Sequence, residues 1–261
     1  MENFLHWPLG AALIVGYIAV LRIVVELALS PDRRFPEFFW RGPERLFTFA
    51  IAGFFLFMAA ASIGRPVARI DLKSLDSSLA LYMGIVVFVF GFLIYRNNDP
   101  RTAFGLNWKG WGAGWKQVLI AILVVLPPIY GAQWLGYSLS PSAEPQPIVT
   151  FLLESSGWRE RAAVIAIAVF AAPLTEELVF RGCLYGVVRQ SFGRYAALAV
   201  SAIIFALIHA HLPSVPGLII LAVALSLLYE STGSLWAPIA LHAAFNGISI
   251  CGAIFWPEFM R

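Results

Sequence analysis

Charge is what this sequence has least of. Asp, Glu, Lys and Arg together make up 13% of its 261 residues, about half the ~25% of a soluble globular domain. With 60% hydrophobic residues, that scarcity excludes a soluble single domain and points to an all-α, polytopic membrane protein. The net charge is only +3 and there is no long basic run, which argues against a nucleic-acid partner; Lys and Arg lie between the apolar stretches, where they report topology. Cysteine is equally sparse. Cys183 and Cys251 lack CxxC spacing, which excludes a disulfide framework and a cysteine zinc site and leaves two buried structural thiols as the expectation. Several hydrolase signatures are missing as well. There is no His-Glu-x-x-His and no Gly-x-Ser-x-Gly, and Asp99 falls in a loop with no second intramembrane Asp, so the usual zincin, serine-elbow and paired-aspartate sites are excluded.

What the sequence does have is length of apolar run. A transmembrane helix needs ~20 apolar residues, and about eight such runs are legible, near 8–30, 46–63, 77–95, 115–137, 161–190 with a break, 194–210, 215–230 and 233–256. The leader before the first run carries no positive charge, so 8–30 reads as a retained helix and not as a signal peptide. Arg22 and Glu26, four apart within it, read as a neutralising structural pair. Residues 31–45 form an aromatic and basic loop suited to the headgroup layer, and residues 108–116, where Trp alternates with Gly and Lys, form an interfacial belt. Pro127 and Pro128 predict a kink or early end in the fourth run. Residues 138–158, with Pro141, Pro145 and Pro147, have room for a short surface helix or a substrate gate. Lys and Arg are more numerous in the loops after the odd-numbered runs, which favours that side as cytoplasmic and both termini outside. No repeat or linker divides the chain, so a single transmembrane domain over 1–261 is expected, with its chemistry at about 160–256.

Residues 172–182, Ala-Pro-Leu-Thr-Glu-Glu-Leu-Val-Phe-Arg-Gly, place three charges inside an apolar run. Charges at membrane depth are costly unless paired or facing a wet cavity, and are usually functional. On a helix Glu177 and Arg181 stack at i and i+4, whereas Glu176 points about 100° away. Glu176 is therefore the carboxylate expected to do chemistry, with Glu177 and Arg181 as a bracing pair.

Three more polar residues stand where apolar ones would be cheaper: His209 at the end of the sixth run, and His242 and Asn246, which share one face of the eighth. Each alone is most often interhelical hydrogen-bonding material. Together with Glu176 they supply a carboxylate, two imidazoles and a carboxamide, the inventory for activating a water and stabilising an oxyanion. His209 could orient that water or protonate a leaving amine, and His242 with Asn246 could donate to the oxyanion. Alternatively Glu176, His209 and His242 could bind zinc, whose open position lowers the pKa of bound water toward ~7. His211 reads as interfacial and His6 as incidental. Tyr185, Arg189 and Glu230 could line a cavity mouth, and solvated helix ends account for them equally well.

Glu176-Glu-Leu-Val-Phe-Arg181, Phe205-Ala-Leu-Ile-His209 and His242-Ala-Ala-Phe-Asn246 resemble, in order, the Glu-Glu-x-x-x-Arg, Phe-x-x-x-His and His-x-x-x-Asn motifs of the CPBP family, the CAAX proteases and bacteriocin-processing enzymes, also called Abi. The likeness covers roughly 164–251. It implies an eight-helix bundle around a conical polar cavity and an intramembrane endopeptidase acting on a membrane-associated or lipidated protein or peptide. It further implies that Glu176 and His209 activate the water, that His242 and Asn246 form the oxyanion site, and that Glu177 and Arg181 support the architecture. Family members have been described both as metalloproteases and as metal-independent glutamate proteases, so no cofactor is certain and zinc stays open. The expected surroundings are a lipid bilayer, that of a bacterial cytoplasmic membrane. The rival readings are a non-catalytic membrane scaffold or immunity protein of the same fold, and a proton-coupled transporter.

Overall fold

The computed structural model describes residues 40–62, 70–106 and 111–255. The first apolar run with Arg22 and Glu26, His6, most of the aromatic loop and part of the tryptophan belt lie outside them. Among the described residues every regular element is a helix: α1 Gly42–Ser62, α2 Leu72–Tyr95, α3 Pro100–Phe104, α4 Trp111–Leu139 and α5 Pro147–Glu154; α6 Trp158–Phe192; and α7 Arg194–Leu207, α8 Val215–Thr232 and α9 Trp236–Phe255. Five of these are long and apolar enough to cross a bilayer: α2, most of α4, α6, α8 with its preceding turn, and α9. The protein is a multi-pass integral membrane protein.

Burial separates the helices into two kinds. The most apolar window of α2, at mean hydropathy 2.3, is only 11% buried, whereas that of α6, at 1.9, is 56% buried. Val87, Phe88 and Leu123 are accordingly exposed on the outside of α2 and α4, where lipid tails are the solvent. α6 and α8 form the centre, and α8 packs against α4, α7 and α9. The α4–α8 seam is close because Gly217 lies against the Ile129 carbonyl and the Gln133 side chain; small residues let helix backbones approach where no hydrophobic effect drives them together. The central core interleaves Phe180, Leu184 and Val188 of α6, Phe205 of α7, Leu221, Leu225 and Leu228 of α8, and Leu241 and Phe245 of α9.

Three elements differ from the sequence expectation, and a fourth agrees with one of its alternatives. Pro127 and Pro128 do not end α4, which runs on to Leu139. α7 is only 14 residues long, too short to span, and it stops at Leu207, leaving His209 in the turn beyond. A short helix, α5, does occupy part of the Pro-rich 138–158 stretch. The break expected near Pro173 is instead a local widening of α6. Residues Ala166–Ala171 and Leu178–Tyr185 adopt π-type turns on either side of Ala172–Glu177. Proline has no N–H and its ring collides with the carbonyl four residues back. Widening the coil before Pro173 lets the helix pass it without ending.

α3 acts as a plug. Asp99 caps it by accepting from the Arg101 and Thr102 amides, and Phe104 is fully buried over Gly182 of α6, where a Cβ would stand 2.9 Å from the phenyl ring. The chain then turns through Gly105 at φ +63, a position whose added Cβ would meet the Gly233 carbonyl at 1.9 Å. Only glycine satisfies both conditions there.

Candidate active site

The two π-type turns of α6 bracket the charged motif, and their geometry decides who its partners are. The Ala172 N–H bonds back to the Ile167 carbonyl, five residues away. By the same register the Ala168 carbonyl would pair with residue 173, which is proline and has no N–H. Asn246 Nδ2 donates to that carbonyl at 2.7 Å, joining α9 to α6. One N–H of the Asn246 amide is thereby committed, and one remains.

Glu177 and Arg181 are both fully buried. Arg181 Nη1 donates to Glu177 Oε1 at 2.9 Å and Nη2 donates to the Ala222 carbonyl of α8 at 3.1 Å. The expected i,i+4 pair is present, but Glu177 does more than brace. His242 Nδ1 lies 2.8 Å from the same Glu177 oxygen, so the imidazole donates Nδ1–H and its Nε2 is turned the other way. Nε2 then lies 3.9 Å from Glu176 Oε2. That oxygen is buried and has no hydrogen-bond partner among the described residues. The gap exceeds a hydrogen bond, yet one water at about 2.8 Å from each atom would bridge it.

Phe205 assembles the remaining members. The Arg181 guanidinium sits 4.5 Å over its ring, His209 packs on it at 4.9 Å between centroids, His242 meets it edge-on at 5.6 Å and Phe180 buttresses it at 5.3 Å. His209 Nδ1 is 2.7 Å from the Phe205 carbonyl. That contact satisfies an orphan carbonyl at the end of α7, fixes the proton on Nδ1 and leaves Nε2 as the available nitrogen. Four helices thus contribute: α6 with Glu176, Glu177 and Arg181, the end of α7 with Phe205 and His209, α8 through the Ala222 carbonyl, and α9 with His242 and Asn246.

The sequence reading underrated two of these. Glu177 orients His242, a contact spanning 65 positions that spacing cannot reveal. Phe205 is the packing centre of the site; the available signal was its i−4 relation to His209, which puts both on one face. Tyr185 and Glu230 prove to be interior. Tyr185 is 0% and Glu230 2% exposed, the Tyr185 hydroxyl donates to Glu230 at 2.5 Å, and Arg194 and Arg189 reach Glu230 at 2.7 and 3.4 Å. This cluster clamps α6, α7 and α8 two turns along α6 from Glu177 and is not a solvated helix end. As for zinc, among the described residues no group of three or more His, Cys, Asp or Glu side chains is arranged to hold a metal ion, and His242 presents only its Nε2 to Glu176.

A helical membrane bundle with a carboxylate, two imidazoles and a carboxamide converging beside a buried Arg–Glu pair defines the class of protein. Comparison with known proteins refines it. Residues 158–248, about a third of the chain, match the family model described as "Type II CAAX prenyl endopeptidase Rce1-like", in line with the resemblance to the CAAX proteases that the three motifs carry. A relative among curated proteins is "Putative membrane peptidase YdiL" of Bacillus subtilis (strain 168), 26% identical over 83 residues. That match covers 32% of this chain and 34% of the relative, so it spans about a third of each. No solved structure matches the chain at a significant level.

Proposed function

We propose that the protein is an intramembrane endopeptidase of the bacterial cytoplasmic membrane, hydrolysing a peptide bond in a membrane-associated or lipidated protein or peptide by a glutamate-type mechanism. The observation that carries this reading is the opposition of Glu176 Oε2 and His242 Nε2 across 3.9 Å, with Glu177 holding the far side of the imidazole. Two carboxylates and one guanidinium leave the buried site one positive charge short. A single proton shared by Glu176 and His242 makes it neutral, the arrangement a low-dielectric interior favours.

That proton defines the cycle. With the proton on His242, Glu176 is an ionised base and His242 Nε2–H is a donor. A water between Glu176 and His209 Nε2 attacks the scissile carbonyl carbon while Glu176 takes its proton. The C=O π pair moves onto oxygen, which accepts from His242 Nε2–H and the remaining Asn246 N–H. Collapse re-forms the carbonyl and breaks the C–N bond as the proton held by Glu176 passes to the leaving amine. Removing one donor aimed at the developing oxyanion costs roughly 10²–10³ in rate in serine proteases, and a similar loss is expected for either donor here. No step is routed through a metal.

The test compares the termini of membrane proteins in cells making wild-type chain and cells making Glu176→Gln at matched abundance. New termini are expected with the wild type alone, and they persist when membranes are treated with a zinc chelator. Identical termini in both cells would overturn proteolysis; chelator-sensitive termini would overturn the glutamate-type reading and restore zinc held by Glu176, His209 and His242.

A further inference from the structure

His209 lies in a turn that carries backbone strain. Ala210, the next residue, has φ +48, a left-handed conformation that is strained for a non-glycine residue and persists only where surroundings impose it. The surroundings that impose it come from the other end of α4. His211 Nε2 donates to the Glu144 carbonyl at 2.9 Å and Nδ1 meets Ser214 Oγ at 2.8 Å. Ser214, 2% exposed, also receives Gln146 Nε2 at 3.1 Å. The Tyr137 ring packs on His211 at 5.7 Å, and Gly136 brings the α4 backbone so close to the Pro213 carbonyl that a Cβ would stand 2.1 Å from it. His211 Nε2 and Gln146 thus join residues 140–146 to residues 211–214, while His211 Nδ1 ties the turn to Ser214, the residue that receives Gln146. Pro141 and Pro145 restrict that segment's freedom before the contacts form.

We propose that His211 is a positioning residue: by tying residues 140–146 to the strained turn after α7, it holds the His209 imidazole toward Glu176. This rests on the reading of His209 as the residue that orients the attacking water. The α4–α5 connection thereby sets how much of the time the site is assembled, although none of its atoms touches the reacting groups.

Two variants separate positioning from folding. His211→Phe keeps a ring against Tyr137 and removes both hydrogen bonds; His211→Gln restores a donor that reaches the Glu144 carbonyl. In full-length protein in lipid nanodiscs, amide hydrogen exchange over residues 208–214 is expected to quicken roughly tenfold in His211→Phe and to return most of the way in His211→Gln, as loss and partial recovery of two hydrogen bonds predict. At matched abundance in cells, the termini made by wild type and not by Glu176→Gln are expected to form roughly tenfold more slowly with His211→Phe and near the wild-type rate with His211→Gln. Gln146→Leu, on the outer side of the latch, falls between and serves if His211→Phe does not accumulate. Unchanged exchange overturns the latch. Faster exchange with termini at the wild-type rate overturns positioning. A wild type that makes no such termini overturns the proteolytic reading and the catalytic part of this proposal, while exchange still decides the latch itself.

Discussion

Phe205 shows how much of this site is held by a residue with no reactive atom. Its ring carries the Arg181 guanidinium, packs against a tilted His209 and meets His242 in an edge-type contact. A desolvated cation–π contact is worth about 2 kcal/mol, so Phe205→Leu is expected to lower the thermal midpoint modestly. It is expected to slow formation of wild-type-specific termini by roughly 10²-fold, because on the proposed mechanism loosening the two imidazoles by about 1 Å costs that much. Equal losses in folded protein and in rate would reduce Phe205 to ordinary core. The Glu177–Arg181 pair responds differently. Removing one partner of a buried ion pair strands the other, at about 3–5 kcal/mol, so Arg181→Met is expected to deplete the protein from the membrane, as measured by its steady-state abundance. Motif spacing revealed the pair; that Glu177 also orients His242 depends on α9 coming alongside α6.

Among the elements, α6 is the one whose irregularity has a consequence. Pro173 forces the wide turn that leaves the Ala168 carbonyl to Asn246. Pro173→Ala supplies the missing N–H and removes the ring clash, so α6 is expected to tighten toward ordinary i→i+4 bonding. Folded abundance should hold or rise, since proline in a helix interior costs about 3 kcal/mol, while proteolysis should fall as Asn246 loses its anchor. Proteolysis at the wild-type rate in Pro173→Ala would show that the wide turn has no part in the chemistry. The sequence marked the position through Pro173 but not the outcome: a proline predicts disturbance, and whether a helix ends or widens depends on what packs around it. α7 is the opposite case. Its run reads from the sequence as 194–210, but the backbone bonds of residues 208–210 to carbonyls three or four residues back, and the latch on residues 211–214, end the helix at Leu207, about one turn before the sequence pattern does.

For the molecule as a whole, the distribution of burial across helices follows the bilayer more than the chain order. α2 is the most apolar of the spans and among the least buried, which is sensible only if lipid is its solvent. Val87→Lys on its exposed face places a charge where insertion costs roughly 2.5–3.5 kcal/mol. It is expected to reduce membrane integration measurably, whereas Lys at the exposed Ser77, near the start of the same helix, is expected to be tolerated; a protease-protection assay distinguishes the two. Hydropathy alone determined that this is an all-α membrane protein, and i,i+3 and i,i+4 arithmetic with motif order picked out Glu176, Glu177, Arg181, His209, His242 and Asn246. Both are local properties, readable because helix geometry repeats every 3.6 residues. Only the tertiary structure decided that His242 shows Nε2 to Glu176 because Glu177 takes Nδ1, that Asn246 serves α6 as well as the site, and that His211 reaches residues 140–146. Each of those is a contact between segments far apart in the chain, fixed by which helices pack together, and no periodicity in the sequence encodes it.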